Sequence, residues 1–424
     1  MVQKRFGLRF SPRLSLGLVS LAWWLPCLAL SHAAPSSAQG SASAAADQGR
    51  SLIRLGKLKE AQAAMQKAAQ ERGQSSEALF DLARVTFATG DYARSRAACR
   101  PLLAKAPNDV YSNLCMARAF LVWRRATRAA EYADKARMLN PNNIEVFQVQ
   151  GDLKRVEGDL AASRAAYLEV LRRDPQDPDA HFGLGQLSLI GQDADAARLE
   201  FKAALTREPE WPEALFELGR LSSGEEAVSL LQRALATRPK WPEARLALGT
   251  AQLENGDIAS AETLFRDVLK ANPNLPMAHS RLGMVLAAKR EYAPAETELK
   301  RGLAGLPNDP DAALALARVY SRTDRPTDAF DAYRNAASLE RYGSRALVEA
   351  GGYALSLGRN TVAQAFLEKA LERTPKSASA RARYADALLA RGDKDKAKQN
   401  YKLALAGEGT VDRQDIQRRL DALP

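Results

Sequence analysis

One small side chain, returning every 34 residues, constrains this chain more than any other feature. Gly49, Ala83, Ala117, Gly151, Gly185, Gly219, Gly249, Gly283, Ala317, Gly351 and Ala385 stand 34 apart, with a single step of 30 between Gly219 and Gly249. Self-similarity at this period means stacked copies of one supersecondary unit, each too small to bury its own apolar face. Twelve residues after each lies a second small residue: Ala61, Ser95, Ala129, Ser163, Ala197, Ala261, Ala295, Ala329, Ala363 and Ala397, with Ala227 filling the place in the shortened copy. Four further on, large groups recur, among them Met65, Tyr167, Phe201, Phe265, Tyr333 and Tyr401.

These spacings describe a helical hairpin. Two apolar-periodic segments of about a dozen residues flank a turn marked by Gly90-Asp91, Gly158-Asp159, Gly256-Asp257 and Gly392-Asp393. Facing small residues let two helix axes approach, and the large groups fill the space beside that contact. Pro107, Pro141, Pro175, Pro209, Pro239, Pro273, Pro307 and Pro375 close the copies, because proline cannot continue a helix.

The pattern resembles the tetratricopeptide repeat, over residues 42–408. The resemblance implies an all-α, right-handed superhelical solenoid of about eleven hairpins. The sixth is shortened near Leu221 to Gly224, and its second helix is expected over about Glu225 to Thr237. Val411, Ile416 and Leu420 mark residues 410–424 as a capping helix over the last hairpin.

Ahead of the repeats, Lys4, Arg5, Arg9 and Arg13 precede an apolar run from Leu14 to Leu30 and the small-residue stretch Ser31-His32-Ala33-Ala34. Residues 1–33 therefore read as an export signal, with cleavage expected after Ala33. An uncleaved anchor is the alternative. Residues 34–46, rich in Ser, Ala and Gly, read as a flexible spacer merging into the first repeat. With four of the 61 basic residues in the signal, the remainder carries only +7, and no long charge run is evident. The expected location is the periplasm or outer membrane of a Gram-negative bacterium. That removes nucleic acid as an ordinary partner and leaves membrane contact indirect, or through an uncleaved signal.

No catalytic, metal or cofactor constellation emerges. His181 and His279 occupy the same repeat position and read as packing residues. They lie nearly three copies apart, too far to share a metal. No cofactor is expected, and the chain does not read as an enzyme. Cys99 and Cys115 fall on helices expected to pack together. A bridge between them is one reading; two buried thiols is the favoured one.

The resemblance also implies recognition of partner segments on the concave face, lined by the first helix of each hairpin. At the family's contact positions stand Phe80, Arg84, Phe87, Tyr111, Arg118, Phe182, Phe216 and Arg220, with Trp211 and Trp241 at the junctions around the short copy. An apolar ladder with interleaved arginines suits protein or peptide segments that are apolar with acidic groups; the alternative reading is internal packing of these aromatics, with the tryptophans stacked on the neighbouring prolines. The expected function is a non-enzymatic scaffold or adaptor of an envelope machine for pili, motility, secretion or polysaccharide export. The alternative is a glycan-binding accessory module of polysaccharide export, and the oligomeric state is left open.

Overall fold

The structure, a computed structural model, describes residues 40–423 except residue 342. The expected signal, its cleavage site and the start of the spacer lie outside the described residues. Two compact units result, one ending at Ala244 and one beginning at Arg245.

Within the first unit the helices are α1 (Gly40–Arg54), α2 (Leu58–Glu71), α3 (Ser76–Ala88), α4 (Tyr92–Lys105), α5 (Val110–Val122), α6 (Ala126–Leu139), α7 (Ile144–Glu157), α8 (Leu160–Arg173), α9 (Pro178–Ile190), α10 (Ala194–Arg207), α11 (Pro212–Leu221) and α12 (Gly224–Thr237). Helix α13 (Pro242–Glu254) begins just before the boundary. The second unit continues with α14 (Ile258–Ala271), α15 (Pro276–Ala288), α16 (Tyr292–Gly305), α17 (Pro310–Arg322), α18 (Pro326–Leu339), α19 (Arg345–Ser356), α20 (Asn360–Arg373), α21 (Ala378–Ala390), α22 (Lys394–Leu405) and α23 (Arg413–Asp421). Among the described residues there is no strand, only an isolated bridge between Ser377 and Glu408.

Helix α1 reaches back to Gly40, into the segment read as a flexible spacer. Four of the residues Ser41 to Ala46 are alanine, the strongest helix former, and propensity decides here. Helix α11 has ten residues, against thirteen in α9 and α13, so the shortened copy loses the end of its first helix.

The small positions work by contact. A Cβ on Gly151 would come within 2.6 Å of the Tyr167 ring, and one on Gly183 would meet the same ring at 2.6 Å. Tyr167 therefore fills the space between two glycine backbones, one in its own hairpin and one in the next. Ser163 Oγ donates to the Gly151 carbonyl at 2.7 Å, so the hydroxyl costs nothing by being buried. The turn aspartates cap the second helices: Asp159, Asp257 and Asp393 accept from the backbone N–H three residues on, at 3.0, 3.1 and 3.2 Å.

Gly158, Gly256 and Gly392 precede those caps at φ 84°, 85° and 88°, the left-handed region that favours glycine. Arg124 occupies the equivalent place at φ 55°. Replacing it by glycine, Arg124→Gly, should raise the stability of the full chain by about 0.5–1 kcal/mol. Urea titration followed by circular dichroism reads this, and a loss of stability would refute it.

Cys99 and Cys115 are joined, with an S–S distance of 2.03 Å and Cα atoms 5.4 Å apart. The two buried thiols favoured from sequence are corrected: both cysteines point into the core that α4 and α5 share with Leu102 and Leu114. At the other end Ile416 and Leu420 of α23 pack with Tyr401 and Ala404, and Arg419 reaches Asp386 at 2.8 and 2.9 Å.

Candidate functional site

The first helices of the first unit carry a chain of buried charges. Arg84 on α3 donates to Asp81 at 2.9 Å and to Glu145 of α7 at 2.6 Å. Arg118 on α5 lies 3.2 Å from Asp152 of α7 and 3.9 Å from Glu145. Asp152 also approaches Arg155 at 3.4 Å and accepts from the Tyr167 hydroxyl at 2.8 Å. Arg50 of α1 reaches Asp81 at 3.5 Å and pairs with Asp47. Every link from Arg50 to Arg155 except Asp47 is buried. Taking such ions out of water is costly, so they persist only because each faces opposite charge.

The chain closes across a wide sequence gap. Arg54, at the end of α1, donates to Asp179 of α9 at 3.3 Å and to Glu208 at 2.6 Å, and lies 5.5 Å from the Trp211 ring. Ser51 adds a 2.9 Å bond to Glu208. Burial works against the Arg54 charge, yet Asp179 and Glu208 outweigh it and the proton is held more firmly than usual. Asp177, the cap of α9, is pushed up by burial and by the neighbouring Asp179 charge.

This placement corrects the expected contact surface. Phe80, Arg84, Phe87, Arg118, Phe182, Trp211 and Trp241 are all buried. Phe80 packs on Tyr111 at 5.8 Å, with the Arg84 guanidinium 4.6 Å over its ring. Tyr111 is half-buried and accepts from Asn143 at 3.2 Å. Trp211 packs at a tilt against Phe182 at 4.5 Å, and Trp241 against Phe216 at 4.7 Å. The tryptophans thus fill the junctions around the short hairpin and offer no ring face to a sugar. Arg220 alone of the ten is exposed, beside Glu217 at 3.1 Å. The arginines turn inward because acids stand at the same contact phases: Glu77, Glu145 and Asp179 lie six residues before their small positions, and Asp152 one after. That row of acids was the available signal.

The second unit differs. On α17 and α19, Arg318 pairs with Glu349 at 2.7 Å, and Arg345 pairs with Asp311. These side chains stay roughly one-third exposed, at 33, 28, 30 and 31%. Tyr353 packs on Tyr333 at 4.9 Å, and burial with the Glu349 charge pushes Tyr333 up to about 12. Gly352 leaves bare backbone next to Tyr353, and a Cβ there would meet the Arg383 guanidinium at 3.5 Å, ordinary contact. Arg383 on α21 is exposed and has no ion pair among the described residues. The second unit therefore presents a half-open polar face on which the Arg383 guanidinium is uncommitted.

The histidines are also relocated. His181 is half-buried, with Nδ1 2.8 Å from Glu200 and Nε2 3.0 Å from the Pro175 carbonyl. Burial opposes its charge, but those two acceptors outweigh it and raise its pKa. His279 repeats the arrangement with Glu298 and the Pro273 carbonyl. Both rings tie a second helix to the preceding turn. Among the described residues no group of His, Cys, Asp and Glu could hold a metal, and no helix is long and apolar enough to cross a membrane.

Comparison with known proteins gives family matches along the chain. Residues 52–118, 221–285 and 354–408 match one family model and 149–214 a second, both described as tetratricopeptide repeat. No curated protein matches the chain. Similar solved structures include yeast Tom70, at 14% identity and TM-score 0.46, covering 91% of this chain and 96% of that one. A tetratricopeptide repeat protein from Parabacteroides merdae ATCC 43184 is 18% identical with TM-score 0.44, over 57% of this chain and 97% of its own. The MamA protein is 23% identical with TM-score 0.36, over 38% and 90%.

Proposed function

The chain belongs to the tetratricopeptide repeat family, and from that premise we propose that it is a non-enzymatic scaffold that holds a partner protein segment on the first-helix face of its second unit. The family's fold suggests protein–protein interaction, and the observation that carries the location is the contrast between the two faces. In the first unit Arg50, Arg54, Arg84 and Arg118 of the first helices are spent on internal carboxylates. In the second, Arg318, Glu349, Arg345 and Asp311 remain within reach of solvent, and Arg383 has no partner among the described residues. A segment carrying a carboxylate for Arg383 and an apolar group for the bare backbone of Gly352, beside Tyr353, suits that chemistry.

The setting we propose is the bacterial cell envelope, after export. A buried disulfide supports it, because such bonds persist in oxidising compartments, and so does the basic-then-apolar order of the first thirty residues.

Gly352→Leu covers the bare backbone next to Arg383, and Arg383→Glu reverses the free charge. The double variant should capture at least about tenfold less partner from solubilised envelopes than the parent, with unchanged helicity, since one apolar anchor and one charge pair together exceed about 1.4 kcal/mol. Arg220→Glu in the first unit should have no effect. Undiminished capture by the folded double variant would refute the assignment.

A further inference from the structure

Between residues 92 and 128 the chain holds eight basic residues and a single acid, Asp109. Arg118 is consumed in the buried chain of charges, and Arg94 and Arg128 pair with Asp91 and Glu131 at 3.3 and 2.7 Å. The side chains of Arg96, Arg100 and Arg124 make no hydrogen bond or ion pair among the described residues. Arg125 makes none either, but its guanidinium lies 4.5 Å from the centre of the Trp123 ring. Uncommitted arginines concentrated in one place are unusual in a molecule that neutralises most of the others.

Their placement forms a strip. Tyr92, Arg96 and Arg100 follow one another by four residues on α4, so they share a face with about 6 Å between successive groups. Tyr92 stacks on Trp123, at the end of α5, at 4.3 Å and 18°. Arg124 and Arg125 continue the line through the turn before α6. Arg124 holds a left-handed backbone conformation, φ 55°, at the position where six copies carry glycine and three others Gln192, Arg290 or Asp324, and its side chain makes no hydrogen bond or ion pair among the described residues.

We propose that this strip, on the second-helix side of the second and third hairpins, is a docking surface for an acidic protein segment. It is separate from the half-open face of the second unit. The exposed indole decides between kinds of polyanion. Two planar groups cannot both sit within 4.5 Å of one ring centre on the same face, so Tyr92 and Arg125 sandwich Trp123 between them. Its 46% exposure is therefore edge. No ring face is left to stack on a sugar, and the indole is not free to enter a lipid interface. What remains is a row of planar forks, one of them fixed in orientation, and a fork matches a carboxylate through two parallel bonds. Carboxylates four residues apart on a helix, or two apart on an extended strand, repeat at the same 6–7 Å or so.

The test uses the full chain and a labelled twelve-residue peptide of alternating Glu and Ala, titrated by fluorescence anisotropy at low and physiological salt. The parent should bind, more weakly as salt rises. Arg96→Ala, Arg100→Ala and Arg124→Gly together should weaken binding about tenfold, three exposed pairs being lost. Because glycine relieves the strain at residue 124, the triple variant should be at least as stable as the parent, which separates lost binding from lost folding. Arg220→Ala should bind as the parent does. Failure of the parent to bind, or unchanged affinity in the triple variant, overturns the proposal. So does tighter binding of oligogalacturonate or of phosphatidylglycerol vesicles that the same variant abolishes.

Discussion

Asp152→Ala should lower the stability of the protein by about 3–5 kcal/mol, the usual result of removing one partner from a buried ionic group. Asp152 is 1% exposed and faces Arg118 at 3.2 Å, Arg155 at 3.4 Å and the Tyr167 hydroxyl at 2.8 Å. Its loss leaves two guanidinium groups short of a counter-charge where water cannot replace it, and a tyrosine donor without its acceptor. Asp152→Asn keeps an acceptor for Tyr167 but not the charge, so it should fall between the parent and the alanine variant. Glu169→Ala is the matched control. Its partners Arg172 and Arg173 are on the surface, and exposed pairs contribute about 1 kcal/mol or less. Urea unfolding monitored by circular dichroism measures all three. A loss below about 1 kcal/mol for Asp152→Ala would mean that the buried charges are far better hydrated than their burial indicates.

Removing the disulfide should have the next largest effect. Cys99 and Cys115 close a loop of sequence separation 16, for which loop-closure entropy gives about 3 kcal/mol. Cys99→Ala, Cys115→Ala and the double variant should all lose nearly the same amount, because the stabilisation belongs to the bond and not to either thiol. Reduction of the parent should reproduce the shift, and only after the α4–α5 core opens, since both sulfur-bearing residues are fully buried. Thermal midpoints with and without reductant provide the readout. A double variant within 1 kcal/mol of the parent would overturn the account.

The period made much of the fold legible. Gly151, Ser163 and Tyr167 could be assigned their packing roles from spacing alone, because their contacts lie within one hairpin or between adjacent ones. The short α11 followed from the step of 30. The candidate surface was harder to read. A repeat phase says which residues share a helix face, but not whether the space in front of that face is open. Arg84 meets Glu145, 61 residues on, and Arg54 meets Asp179, 125 residues on. Neither separation is a multiple of 34, so superposing the copies could not bring these pairs together. Arg118 and Asp152 are 34 apart and were within reach of that method. His181 with Glu200 and His279 with Glu298 share a separation of 19, also visible once both ends are considered. The strip around Arg124 was only half legible: the bias of eight bases to one acid between residues 92 and 128 is in the sequence, but not which of those arginines find a partner once folded.

The bond between Arg54 and Asp179 changes how the first unit comes together. A stack in which each hairpin touches only its neighbours can zip and fray from either end, one unit at a time. Here the first hairpin receives part of its stabilisation from side chains more than a hundred residues downstream, and the loop-closure entropy of that long span must be met before the contact forms. A nascent chain would therefore carry an incomplete first hairpin until α9 and Glu208 had appeared and folded. Once they had, the free end of the stack would no longer behave as an end. The contact turns a nearest-neighbour array into a ring of mutual dependence, from which the segments from α1 to α10 are expected to melt as one cooperative block.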